Sequence, residues 1–99
     1  MKLMTKELEK RFAAVGSQEK IADPIIIAKF FYPAGSATWY ATEYNPEDQC
    51  FFGLADLFGD GGEIGYFSRE ELQTFRGQFG LGIERDLHFG EKKLSEVRK

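Results

Sequence analysis

The sequence predicts an α+β fold: a four-stranded antiparallel meander with one helix before it and a second packed on it after strand four. Three observations carry this reading. Met4, Leu8, Phe12 and Val15 recur at helical spacing. Four stretches rich in β-branched and aromatic residues then follow between Pro24 and Phe67, separated by short turn-forming clusters. Ser68 finally opens a second helical stretch, with Glu71 three positions on as in a capping box. Short connections between successive strands favour antiparallel neighbours, and helices laid on such a sheet make an α+β domain. A short extended piece near Ile83 is the candidate fifth strand.

All 99 residues are assigned to one domain. It divides into an N-terminal helix and linker (1–22), the sheet (23–67), the second helix (68–77), and a C-terminal loop and tail (78–99). The first helix runs Thr5 to Val15, with Thr5 as N-cap and Gly16 as stop. After a polar linker, Asp23-Pro24 forces an extended entry into Ile25–Tyr32 (IIIAKFFY). This stretch is apolar on both faces, so it is expected inside the sheet or covered on both sides. Thr38–Tyr44 follows, and strict alternation sets Trp39, Ala41 and Glu43 on one face. Cys50–Phe58 is the third strand, with Phe52, Leu54, Asp56 and Phe58 sharing a face. Gly59-Asp60-Gly61-Gly62 supplies the hairpin turn to Glu63–Phe67. The tail EKKLSEVRK either forms a helical turn around Leu94 and Val97 or stays mobile.

Composition narrows the function classes. Apolar residues make up 42% of the chain, too many for a disordered segment. A single cysteine, Cys50, cannot form an internal disulfide, and no stretch has the length of a membrane helix. The N-terminus MKLMTKELEKRF lacks the apolar core of a secretory signal, so the expected compartment is the cytoplasm. The net charge of −3 is unevenly spread. Both ends are basic, whereas residues 43–71 hold eight acids against Arg69. An acidic body makes a poor general nucleic-acid binder, because affinity there comes from neutralising phosphates.

No complete catalytic, cofactor or metal signature is present. Asp56, Asp60 and Glu71 fail calcium-loop spacing, which would put Phe58 and Phe67 at ligand positions. Gly77, Gly80 and Gly82 follow a helix instead of opening one, unlike a phosphate loop. Cys50 and His88 are too few for a structural zinc site, and nothing pairs them as nucleophile and base. No cofactor is expected.

The densest polar chemistry lies in Gly80–Phe89 (GLGIERDLHF), which holds Glu84, Arg85, Asp86 and the one histidine, His88. Glu43 and Asp56 sit mid-strand among apolar neighbours and need partners if they point inward. The expected arrangement has Arg85 bridging Glu43 or Asp56 and tying the C-terminal loop to the sheet. Its functional version is a recognition pocket of Trp39, Glu43, Asp56, Arg85 and His88. An enzymatic site, which is not favoured, would use His88 as acid or base with Glu84 and Asp86.

TWYATEYNPED (Thr38–Asp48), Phe52-Gly53, EIGYFSREEL (Glu63–Leu72) and RGQFGLGIERDLHF (Arg76–Phe89) together resemble an uncharacterised bacterial family, domain of unknown function 2958. The resemblance spans roughly Pro24 to Leu94 and is most specific in ERDLHF. It implies an accessory role on plasmids, phages or integrative elements, and assigns no activity to any residue. The leading expectation is a non-enzymatic module that binds a protein partner in a DNA-transaction or host-defence setting. The alternatives are a small enzyme or ligand-binding domain built on His88, and direct nucleic-acid binding through sheet aromatics such as Trp39, Tyr40 or Tyr66.

Overall fold

A computed structural model describes residues 2–98. The elements run α1 (Lys6–Val15), β1 (Ile25–Ile26), β2 (Ala28–Phe31), β3 (Thr38–Asn45), β4 (Cys50–Asp56), β5 (Glu63–Ser68) and α2 (Arg69–Thr74). A 3₁₀ turn at Gln78–Gly80 follows, then β6 (Glu84–Arg85), β7 (Lys92–Lys93) and α3 (Leu94–Val97). Five strands form an antiparallel sheet in the order β5-β4-β3-β2-β6. The meander is therefore present, and the extended piece near Ile83 joins it as the fifth strand.

Local signals set the start of both helices and the end of α1 as expected. Thr5 Oγ1 accepts from the Leu8 amide at 3.2 Å, and Ser68 Oγ accepts from the Glu71 amide at 3.2 Å. At the end of α1, Gly16 takes φ +67°, and its N–H donates to the Phe12 carbonyl. Leu8 and Phe12 are buried on the sheet, whereas Val15 is 40% exposed.

The second helix is shorter than expected and ends at Thr74 instead of at 77. Phe75 turns extended, and its ring meets Tyr32 edge-on at 5.4 Å. Gly77 then passes so close to Tyr32 that a Cβ there would overlap its hydroxyl. The same hydroxyl accepts from the Gln78 amide at 3.1 Å. Packing against one tyrosine thus stops the helix before its glycine does.

The long strand expected over Ile25–Tyr32 is broken. β2 lies inside the sheet, as its two apolar faces require, but β1 diverges and pairs with β7 (Ile25 opposite Lys93, Ile26 opposite Lys92). The break faces an irregularity in β3 between Ala41 and Glu43. Gln18 fills the gap. Its amide donates to the carbonyls of Ile25 and Thr42, both at 2.8 Å, and its Oε1 accepts from the Ile25 amide at 2.7 Å. This linker glutamine is 6% exposed and completes main-chain pairing that the bulge would leave open.

Hydrophobic clusters cover both faces of the sheet. On one, α1 and α2 pack over Phe30, Phe51 and Ile83, with Trp39, Tyr44 and Phe67 around them. Phe51 centres this cluster, with ring centroids of Tyr44, Phe30 and Phe67 at 4.9, 5.1 and 5.5 Å. On the other, Ile26 and Leu54 meet Leu94, with Tyr40, Phe89 and Val97 beside them. The C-terminal segment is therefore a second covering layer, and of the two alternatives for the tail it takes the helical turn.

Candidate functional site

Within ERDLHF the organising residue is Asp86. Its amide donates to the Lys29 carbonyl at 3.0 Å, extending the β2–β6 pairing by one residue. One carboxylate oxygen lies 3.6 Å from Lys29 Nζ, and the other accepts from the His88 amide at 3.0 Å. The Asp86 carbonyl accepts from the Phe89 amide at 3.3 Å, so the chain turns back over the sheet. The Phe89 ring then lies 6.1 Å from Tyr40. Lys29 Nζ sits 5.8 Å from the Phe89 ring and 5.9 Å from the Tyr40 ring, and Lys92 Nζ sits 5.7 Å from Phe89. Burial raises the Tyr40 hydroxyl above its ordinary pKa, and the neighbouring Asp56 charge adds to this.

A second tie lies further along. Asp23 accepts from the Ser95 amide at 2.9 Å and from its hydroxyl at 2.6 Å, holding the start of α3. The Ser95 hydroxyl and then its amide, with Lys93 nearby, keep the Asp23 carboxyl below its ordinary pKa.

The segment does tie the C-terminus to the sheet, but the side chains expected to meet sit elsewhere. Up to Ala41, β3 alternates as expected, with Trp39 opposite Ala55 and Ala41 opposite Gly53. The bulge then shifts the phase. Glu43 falls opposite Phe52 and Tyr44 opposite Phe51, so Glu43 changes to the face away from Trp39. Asp56 shares the Glu43 face but lies at the far end of β4, opposite Thr38, where it accepts from the Gly59 amide at 2.8 Å. Arg85 lies opposite Phe30, in the same cross-strand row as Trp39 and on the other face from both acids. The expected bridge from Arg85 to Glu43 or Asp56 is therefore replaced by Lys29 with Asp86. Glu84 is half-buried opposite Phe31, and His88 lies exposed on the turn.

Sequence reasoning missed Lys29 and Phe89 as partners. The signal was present: Lys29 is the one charge inside IIIAKFFY, and a charge at such a position needs a counter-charge. No group of three or more His, Cys, Asp or Glu among the described residues could hold a metal ion. No helix among them is long and apolar enough to cross a membrane.

An apolar concavity lies elsewhere, between α2 and the sheet. This cleft of about 370 Å³ is walled by Tyr32, Trp39, Phe67, Leu72, Phe75 and Ile83. Glu71 and Leu57 also line it. Phe75 is 46% exposed at the cleft, and Leu57 is 44% exposed. A second groove, about 450 Å³, lies on the opposite face and includes Glu43, Phe52, Ile64, Tyr66 and Arg98. Of the expected site residues, Trp39 lines the first and Glu43 the second, while His88 lines neither.

No curated protein and no solved structure matches the chain. The family described as "Protein of unknown function (DUF2958)" matches over residues 3–98, and the chain belongs to it.

Proposed function

We propose that this protein is a non-enzymatic interaction module that binds a protein partner through the cleft between α2 and the sheet, in a DNA-transaction or host-defence process of mobile elements. The observation that carries the reading is an apolar, aromatic-walled cleft with one acid, Glu71, in its lining. Its walls bring Tyr32, Trp39, Phe67 and Phe75 together, and Glu71 lines it beside them. Interfaces draw their energy from a few buried aromatic anchors set in such pockets. A partner segment with an apolar side chain followed by a lysine or arginine matches this surface. The apolar group replaces water against the rings, and the cation meets Glu71.

Two features weigh against the enzymatic alternative. His88 lies exposed on a turn outside both clefts, and Glu84 and Asp86 face separate neighbours. Nucleic-acid binding has one favourable feature, an exposed Tyr66 that shares a groove with Arg98, set against the acids of residues 43–71.

Selection of random displayed peptides on the full chain tests the proposal. Enriched sequences are expected to carry an apolar residue beside Lys or Arg, and to bind Phe75→Ala and Glu71→Gln at least about tenfold more weakly. Peptides without that pattern, or with undiminished binding to both variants, would refute it.

A further inference from the structure

A different surface points to self-association. Among the described residues β5 is an outer strand of the sheet and pairs with β4 alone. The amide of Arg69 donates to the Gln49 carbonyl at 3.0 Å, which identifies Gln49 and Arg69 as a hydrogen-bonded pair. Antiparallel ladders alternate bonded and non-bonded pairs. Phe67, Gly65 and Glu63 therefore bond to Phe51, Gly53 and Ala55, while Ile64 and Tyr66 direct N–H and C=O groups outward.

Exposed edges are normally guarded by lysine, proline, a bulge or an overlying element. β5 (EIGYFS) has no lysine or proline, its register with β4 is unbroken, and its one charge, Glu63, stands at the end. The side chains beside the outward groups are apolar and uncovered: Tyr66 is 79% exposed and Ile64 38%. Between them, none of the described residues approaches within 4 Å of where a Gly65 Cβ would lie.

We infer that β5 pairs antiparallel with β5 of a second copy of this chain, about a two-fold axis at Gly65, so that the two sheets become one. The occupant is a second copy because the edge complements itself. An axis at Gly65 sets Ile64 of each copy opposite Tyr66 of the other. The four outward N–H and C=O pairs then close four hydrogen bonds across the axis. Each exposed tyrosine covers an exposed isoleucine, a favourable cross-strand pairing of aromatic with β-branched side chains. The two glycines meet in the close, non-bonded position, where the absence of side chains lets the backbones approach. No like charges face each other: Glu63 lies opposite Phe67 of the second copy, and Arg69 opposite Gly61, beside the acidic turn at Asp60. The contact is confined to one six-residue strand edge and is small beside the standard interface of specific complexes, so the dimer is a weak one.

Sedimentation of the full chain across about 1 µM to 1 mM tests this. A monomer–dimer equilibrium is expected, with the midpoint moving at least about tenfold upward in Ile64→Lys, a guard residue at the edge. Circular dichroism and urea unfolding of that variant verify that it folds. In a Cys50→Ser background, Gly65→Cys is expected to give a disulfide-linked dimer under mild oxidation, faster than Tyr66→Cys. A monomer throughout the range, an Ile64→Lys dimer as tight as the parent, or equal cross-linking at both positions would overturn the inference. Cleft binding is read separately, so failure here leaves that proposal standing.

Discussion

Replacing Gln18 with methionine keeps the side chain's length and removes its hydrogen bonds. Three contacts are lost, at 2.8, 2.8 and 2.7 Å, and three main-chain groups are stranded beside the bulge: the Ile25 N–H and the carbonyls of Ile25 and Thr42. A typical intramolecular hydrogen bond contributes about 0.5–1.5 kcal/mol net, which gives roughly 1.5–4.5 kcal/mol for three. The burial of Gln18 argues for the middle of that range, since water reaches the stranded groups poorly. Against a total stability of about 5–15 kcal/mol this is a large loss. Urea unfolding followed by the fluorescence of Trp39, with amide exchange at Ile25, measures it. The expected result is a midpoint lowered by about 1–2 M, given a slope of about 1–3 kcal/mol per molar for a small domain. Gln18→Glu sets a carboxylate against two carbonyl oxygens and is expected to cost more than methionine at pH 7. A loss below about 0.5 kcal/mol in Gln18→Met, with Ile25 still protected, would refute the assigned role.

Two further predictions concern the C-terminal layer and the end of α2. The Asp23 carboxyl titrates below its unfolded value of about 4, so its hold on α3 is complete above that pH and is lost as pH falls through the depressed value. Protection of the Ser95 amide is expected to fall only as pH drops below about 4 through that depressed value, and to be reduced in Asp23→Ala at neutral pH; protection at neutral pH equal in the parent and in Asp23→Ala would contradict this. Gly77→Ala is expected to destabilise by about 1–3 kcal/mol through overlap with Tyr32, and the penalty should shrink in a Tyr32→Phe background. Additive effects of the two substitutions would separate the sites.

What was legible in the sequence was whatever depends on neighbours a few residues away. Thr5, Gly16 and Ser68 act on amides and carbonyls three or four positions off, and their caps form as read. The four main strands and the extended piece near Ile83 were visible in residue type and punctuation. The faces were legible only as far as Ala41. One extra residue in β3 reverses the parity of all that follows, so Glu43 parted from Trp39 although the strand itself was assigned correctly. The early end of α2 depends on Tyr32, more than forty residues earlier, and the docking of α3 on Asp23, seventy-two residues before Ser95. Alternation and propensity carry no information at such separations. The cleft is hidden for the same reason: Tyr32, Trp39, Phe67 and Phe75 come from four separate segments, and of these the sequence singles out only Trp39.

Trp39 also makes the central claim directly measurable, because it is the chain's one tryptophan and it lines the proposed binding cleft. Titration of the full chain with a selected apolar–basic peptide, read as Trp39 emission, is the decisive measurement. Saturable change in emission, lost in Phe75→Ala and weakened in Glu71→Gln, is the result expected if the cleft is the binding surface. Peptide binding by an independent method with Trp39 emission unmoved would place the partner elsewhere and contradict the account.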